Sequence, residues 1–401
     1  MKTIFTSYIS AFAGLSTSVW WLALITLINR AGTMVVPFMS LYLTEDLCFN
    51  FTQVGWIMTA FGAGSVMGSW LGGQLTDKIG YYKVMVISLL ITGFLFIGLQ
   101  YLHSFTSLCF GVFVLMIAAD TFRPAMFVAL SAYSKPENRT RSLTLIRLAI
   151  NLGFSAGPAI GGFIILTVGY GGLFWLDGIT CVLAGLLLVQ MLSPKKAKAT
   201  ETEKIDNPES AYKDGVFWIF VVSMFLFGFI FLQYFSSVPL FYKDGFYLSE
   251  FEIGLLLGAN GLIIAILEMP LIKWLENKKW RKEALMFIGA FLTMLSFAVM
   301  NISSWIGVIF IGMVLMTVGE MVTFPFSNAF AMERSKRGNQ GQYMAFYSIG
   351  FSFSHIFGHN GGLQLIDSFG YFTTWNVMVG IGLINMTLLL ILMKKSKQYK
   401  N

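Results

Sequence analysis

Residues 184–226 read AGLLLVQMLSPKKAKATETEKIDNPESAYKDGVFWIFVVSMFL. A polar, charged stretch, Pro194–Asp214, is held between two apolar runs, and it falls near the middle of the 401-residue chain. A helix needs about 20 mostly apolar residues to cross a bilayer. The flanking runs, 171–191 and 215–241, meet that length. Working outward from them gives ten more such runs: 18–44, 52–75, 82–101, 106–132 and 140–167 before, and 250–276, 282–300, 304–331, 340–366 and 371–393 after. The expected fold is an all-α membrane protein of twelve transmembrane helices in two pseudo-symmetric six-helix bundles. Residues 1–192 form one bundle, 193–214 the linker and 215–401 the other.

Composition agrees. Hydrophobic residues make up 56% of the chain and charged residues 12%, with a mean hydropathy of +0.72. Soluble proteins carry about 25% charged residues, so this surface must face lipid. The 40 glycines suit closely packed membrane helices. Cys48, Cys109 and Cys181 are scattered without metal-ligand spacing and read as buried free thiols. No cofactor or metal is expected, and no cleavable signal precedes the first span.

Basic residues set the orientation. Of the 27 Lys and Arg, only Lys243 falls in a loop on the side opposite the termini, while Arg30, Arg123 and Arg147 lie inside spans. All others, including Lys2, Lys195, Lys196, Lys198, Lys204, Lys279, Lys336 and Lys400, share the side of both termini and the linker. The positive-inside rule makes that side cytoplasmic, as for a protein of the inner cell membrane. Topology thus accounts for the net charge of +7, and no nucleic-acid partner is needed.

Shifting the sequence by about 200 residues exposes a repeat. Leu71, Leu75, Asp77 and Lys78 fall on Leu271, Leu275, Asn277 and Lys278. Asp120 falls on Glu320, and Gly161–Gly162 on Gly361–Gly362. Six helices is an even number, so both copies insert the same way round, with the substrate site expected between them.

The loop after the second span reads Gly73-Gln74-Leu75-Thr76-Asp77-Lys78-Ile79-Gly80-Tyr81-Tyr82-Lys83. It resembles the signature loop of the major facilitator superfamily, although Tyr81 and Tyr82 stand where basic residues are usual. The resemblance implies a gating latch made by Gly73, Asp77, Lys78, Gly80 and Lys83. Gly73 would let helix two approach a neighbour, Asp77 would accept bonds at another helix's N-terminus, and Gly80 would turn the chain. The fifth span carries Gly153, Gly157, Pro158, Gly161 and Gly162. It is similar to the Gly-Pro motif of that superfamily's proton-driven antiporters, the 12-helix drug:proton exporters above all. Glycines four apart also make a close-packing seam whatever the direction of transport.

Ionisable groups inside a membrane are costly and so are functional candidates. Those singled out are Arg30, Asp120, Arg123 and Arg147 in the first half, and Glu268, Glu320, His355 and His359 in the second. Asp120 and Arg123, three apart on one helix face, can pair, either permanently or as part of coupling. Arg123-Pro124-Ala125 resembles the arginine region of helix four in drug:proton antiporters, but Asn29–Arg30 stands where an acidic residue is usual. Arg147 can anchor a loop. His355 and His359, four apart, can carry protons or act as neutral hydrogen-bonding groups.

Proton coupling is therefore expected at Glu320, Asp120, Glu268 and His355, and substrate binding at Asn29, Arg30, Arg123 and Glu320. The expected function is proton-coupled export of small amphipathic molecules by alternating access, with the chain acting as a monomer. The alternative is proton-coupled uptake of small peptides or other zwitterions. Gly319–Glu320 is somewhat like the peptide-transporter family, and cationic Arg30 and Arg123 with anionic Glu320 would match a zwitterion's ends. No phosphate-binding loop, nucleophile elbow or metal-binding helix is found, so the chain is not read as an enzyme.

Overall fold

A computed structural model describes residues 14–135, 138–195, 210–278, 280–335, 337 and 340–398. Lys2, Lys279, Lys336, Lys400 and linker residues 196–209, with Lys196, Lys198 and Lys204, lie outside the described residues. Among the described residues there is helix and no strand. The spans are α1 (Thr17–Asp46), α2 (Phe51–Ile79), α3 (Tyr81–Leu99), α4 (Phe105–Tyr133), α5 (Arg139–Val168) and α6 (Gly171–Met191). They continue as α7 (Gly215–Phe235), α8 (Glu250–Asn277), α9 (Lys282–Met300) and α10 (Gly307–Ser335). The last helical run, Gln340–Gln398, is two helices, α11 (340–369) and α12 (371–398), which meet at Gly370 with φ 73°. Ten segments are long and apolar enough to cross a bilayer. One of the ten holds both α11 and α12, and α2, 29 residues long but less apolar, completes the twelve.

Two helices expected to be continuous are broken. α1 ends its first part at Ala31 and restarts at Val35, then closes in a π-helical turn, Tyr42–Asp46. α7 passes from α-helix at Phe231 into a 3-10 turn, Leu232–Phe235, and resumes as Ser237–Phe246. The two breaks fall at matching points of the repeat, so the duplication extends to where helices fail as well as to where they form. Apolar periodicity cannot show such breaks, because the residues on both sides remain apolar.

The chain divides into two compact units, Met1–Pro37 with Ala63–Glu201, and Phe38–Gly62 with Thr202–Asn401. In the first unit, glycines bring backbones together. A Cβ on Gly64, Gly68 or Gly72 of α2 would meet the carbonyl oxygens of Phe113, Ile117 and Thr121 of α4 at 2.4, 2.5 and 2.6 Å. Apolar side chains gain nothing by leaving lipid for protein, so van der Waals contact between close helices must supply the cohesion. Thr121 Oγ1 adds a 3.1 Å bond to the Gly68 carbonyl. Behind this seam a core of Val19, Leu22, Met85, Leu130 and Leu188 is almost fully buried.

The second unit repeats the device between α9 and α10, where a Cβ on Gly289 or Gly319 would lie 2.8 Å from the other's carbonyl oxygen. An aromatic lattice fills the space around α7. Phe217 meets Tyr343 at 4.7 Å and Phe220 stacks on Tyr347 at 5.5 Å. α8 begins at a reciprocal cap, with Ser249 and Glu252 bonding each other's backbone N–H.

Candidate functional site in the polar interior of the two units

In the first unit, polar groups collect around the α1 break. The Asp177 carboxylate, fully buried on α6, accepts from Met34 N at 3.0 Å and Val35 N at 2.8 Å. These are orphan donors of the restarted helix, which would otherwise have no acceptor. Just before the break, Asn29 Nδ2 reaches Cys181 Sγ at 3.5 Å. Arg30 lies with its guanidinium carbon 5.5 Å above the Phe154 ring, within electrostatic reach of Arg123 and Asp120. A Cβ on Gly153 would strike Arg30 Cβ at 2.5 Å, and one on Gly157 would lie 3.1 Å from Ala31 O. The α5 glycine face therefore sets how closely Arg30 is held. Pro158, Gly161 and Gly162 follow on α5, all buried.

The expected Asp120–Arg123 pair does not form. Asp120 takes the Ser65 hydroxyl of α2 instead. Arg123 is exposed and makes no ion pair among the described residues. Arg147 is half-buried on α5. In the signature loop Gly80 has φ 85° and turns the chain. Gly73 has open space where a Cβ would go, and the close contact belongs to Gly72. Asp77, Lys78 and Lys83 are exposed, and Asp77 has no hydrogen-bond partner among the described residues. Cys48 is exposed rather than buried, whereas Cys181 is buried.

In the second unit the two expected acids come together. Glu268 on α8 is buried and lies within electrostatic reach of Glu320 on α10, with the Asn260 amide, also on α8, beside Glu320. Asn260 Nδ2 also donates to Thr317 Oγ1 at 2.8 Å, and that hydroxyl donates to Met313 O at 2.7 Å. One amide thus ties α8 to α10 beside two carboxylates. The repeat register slips here. Pro124 of α4 and Pro325 of α10 occupy equivalent places, which sets Glu320 opposite Ala119 rather than Asp120. The slip is already present between α3 and α9, so it arises before α9.

At the α7 break, fully buried Gln233 donates to Phe229 O at 2.9 Å and to Gly358 O of α11 at 2.8 Å. Its Oε1 accepts from Ser237 Oγ at 2.7 Å. The roles are reversed between the units: the Asp177 carboxylate accepts from backbone N–H groups at the α1 break, and the Gln233 amide donates to backbone carbonyls at the α7 break. At the start of α7, Asp214 caps Val216 N and Phe217 N and takes the Arg334 fork from α10 at 2.6 and 2.7 Å, with Tyr343 OH at 3.0 Å. Burial alone would raise the Asp214 carboxyl. The Arg334 guanidinium, the Phe217 N–H and the Tyr343 hydroxyl outweigh it and hold the group below its ordinary value.

His355 and His359 lie on one face of α11, rings 5.8 Å apart. They face the outer segment of α2, where Thr59 Oγ1 bonds Ile356 O at 3.2 Å and Thr52 Oγ1 bonds Asp367 at 2.7 Å. No group of three or more metal-ligating side chains occurs among the described residues.

Twelve helices among the described residues, in two repeated sets that each have a broken first helix and a buried carboxylate, are the architecture of a transporter. The model of the Major Facilitator Superfamily matches residues 19–359 and 249–400, and the chain belongs to that family. It is a transporter and not an enzyme. It is 23% identical over 363 residues to the Na(+), Li(+), K(+)/H(+) antiporter of Planococcus maritimus, covering 82% of this chain and 84% of that one. It is 24% identical to the MFS-type transporter YqjV of Bacillus subtilis, covering 92% of each. Over 178 residues it is 26% identical to the quinolone resistance protein NorA of Staphylococcus aureus, covering 43% of this chain and 44% of that one. Among solved structures, a POT family transporter in complex with 5-aminolevulinic acid matches with a TM-score of 0.81 at 16% identity, covering 97% of this chain and 98% of that one. The nucleoside transporter NupG matches with a TM-score of 0.76 at 12% identity, covering 94% of this chain and all of that one. These structural likenesses concern the fold.

Proposed function

We propose that the chain is a proton-coupled antiporter that exports small amphipathic molecules from the cytoplasm by alternating access. It would act as a monomer in the inner membrane, with both termini cytoplasmic and residues 193–214 joining its six-helix halves. The observation that carries this reading is the Glu268–Glu320 pair with Asn260 beside it. Two acids that face one buried region offer a place to hold a proton. A cationic substrate favours the ionised form and so displaces that proton. The relatives named for cation/proton antiport and for quinolone resistance support this reading.

The test is transport into proteoliposomes under imposed pH gradients of both signs. Glu320→Gln fixes the neutral form. It is expected to abolish gradient-driven exchange while leaving the protein folded and able to bind neutral substrate. Exchange at the wild-type rate in Glu320→Gln would falsify the assignment and move the proton site to Asp120 or Glu268. The second reading, uptake of a zwitterion, draws on Arg30 lying within reach of a second cation, Arg123, and of one carboxylate, Asp120. That leaves positive charge for a substrate carboxylate, and uptake that follows the proton gradient would establish it.

A further inference from the structure

The outer part of α2 packs antiparallel on α11 inside the second unit. Contact runs from Thr52 with Asp367 at the outer end to Gly62, where a Cβ would lie 2.7 Å from the His355 backbone. Between them Thr59 bonds the Ile356 carbonyl, and a Cβ on Gly55 would lie 2.5 Å from Asn360 Oδ1. This is a close seam of glycines and hydroxyls, and no residue of α2 from Phe51 to Gly62 is charged. Between its two ends sits His359, 2% exposed. The Phe61 ring meets it T-shaped at 6.1 Å, with 78° between the planes. Neither ring nitrogen of His359 has a hydrogen-bond partner among the described residues. Buried polar groups are almost always satisfied, so an exception calls for an explanation.

The geometry points to His359 as a proton-binding site of this seam, empty of its proton while α2 is docked and filled when α2 parts from α11. A docked imidazole lies buried against the Phe61 ring and its own helix, neither of which offers a carboxylate. The titratable group within reach among the described residues is His355, a like-charged neighbour if both rings were protonated. Asp367, two turns farther out, is already engaged by Thr52. From α7 the facing groups are Phe229 and Gln233, and α10 meets α11 through Phe324 and Phe351. None of these carries a negative charge. Parting of the seam admits water, and a hydrated imidazole takes up a proton near about pH 6.5. Protons then favour the parted form, because a ligand that binds one of two conformations shifts the balance toward it. The inference goes beyond the proposed export. It needs the seam to part, but needs neither a substrate nor the carboxylate pair.

The sequence holds three histidines, so 15N-histidine spectra of the full chain in nanodiscs can be assigned with His103→Gln and His355→Phe. In the same samples, spin labels at Asn50→Cys and Ser368→Cys, with the native cysteines replaced, report the seam distance. No substrate or gradient is added. As pH falls from 8 to 5, the long-distance population is expected to rise by up to tenfold per unit below the ring's titration point. The His359 ring should be neutral in the short-distance form and protonated in the long one. His359→Phe should keep the short distance at every pH, and His355→Phe should keep the response. A protonated His359 in the short-distance form, or an undiminished response in His359→Phe, overturns the inference. The ring spectra decide the matter on the wild-type chain even if His359→Phe fails to fold. A chain that shows the response yet does not exchange protons for substrate refutes the proposed export and leaves this inference standing.

Discussion

At the scale of single residues, the most economical contrast is between two adjacent glycines. Gly72 lies against the Thr121 backbone and Gly73 faces open space. Backbone cannot move aside as a flexible side chain can, so Gly72→Val should lower the thermal midpoint in detergent by several degrees while Gly73→Val leaves it unchanged. Equal shifts would mean the α2–α4 seam is not tight. Asp214 and Arg334 supply a second contrast. Removing one member of a buried pair strands the other, at a cost of about 3 kcal/mol. Arg334→Ala should therefore be clearly less stable than the wild type in a denaturation series at pH 7. Because the folded-state value of Asp214 is depressed, the pair's contribution is complete above the unfolded value of about 3.9. It is lost only as pH falls through the folded value. The gap between the wild type and Arg334→Ala should stay constant from pH 8 to 5 and narrow only in acid.

The sequence alone singled out Glu268, Glu320, His355 and Arg30 as candidates through a single rule, that charge inside a span is expensive. The same rule applies to Asp177, which stands in the sixth span beside Gly178 and has the most telling contacts of all. What the rule cannot supply is the partner. Asp120 has Arg123 one turn away on its own helix, yet its bond goes to Ser65, 55 residues back. Sequence spacing ranks neighbours within one helix and is blind to a hydroxyl on another. Gln233 and Asn260 went unnoticed for a related reason. They carry no charge, and their importance lies in tying two helices together.

Elements show the opposite pattern. Helix number, order and approximate ends were legible because length and hydropathy fix them, whereas the breaks were not. The break in α1 depends on Asp177, which stands 143 residues from Met34. Asp177→Ala would leave the Met34 and Val35 donors with no acceptor, at about 1–3 kcal/mol for each buried group. Amide exchange over residues 30–36, followed by mass spectrometry, should quicken in Asp177→Ala and change less in Asp177→Asn, whose carbonyl still accepts. Protection equal to the wild type in Asp177→Ala would show that the break holds itself. The α7 break should be unaffected in either variant, since Gln233 and Ser237 serve it from within the same helix.

For the whole molecule the first expectation is topology. With the native cysteines replaced, Lys204→Cys should react with an impermeant thiol reagent only from the cytoplasmic side. Asp244→Cys, beyond α7, should react only from the other. Labelling of both from one side would remove the twelve-span arrangement with cytoplasmic termini. The division into units is subtler than the halves read from the linker, because the segment Phe38–Gly62 folds with residues that follow residue 202. A sequence comparison of halves could not have found this, because repeat matching pairs like with like and is silent about where a helix packs.

That segment bears on how separable the halves are. A gene fragment that begins after the linker encodes α7 to α12 but omits twenty-five residues of its own unit, among them the partners of Asp367, Ile356 and Asn360 on α11. Hybrids that join the first half of one relative to the second half of another inherit the same difficulty. Their linker can be matched perfectly, and the graft still fails or succeeds on whether the donor's second helix fits the recipient's eleventh. Ancestral duplication supplied two similar halves, but exchange of parts between lineages would have to carry this stretch along with the half it follows in space, against the order in which it is translated.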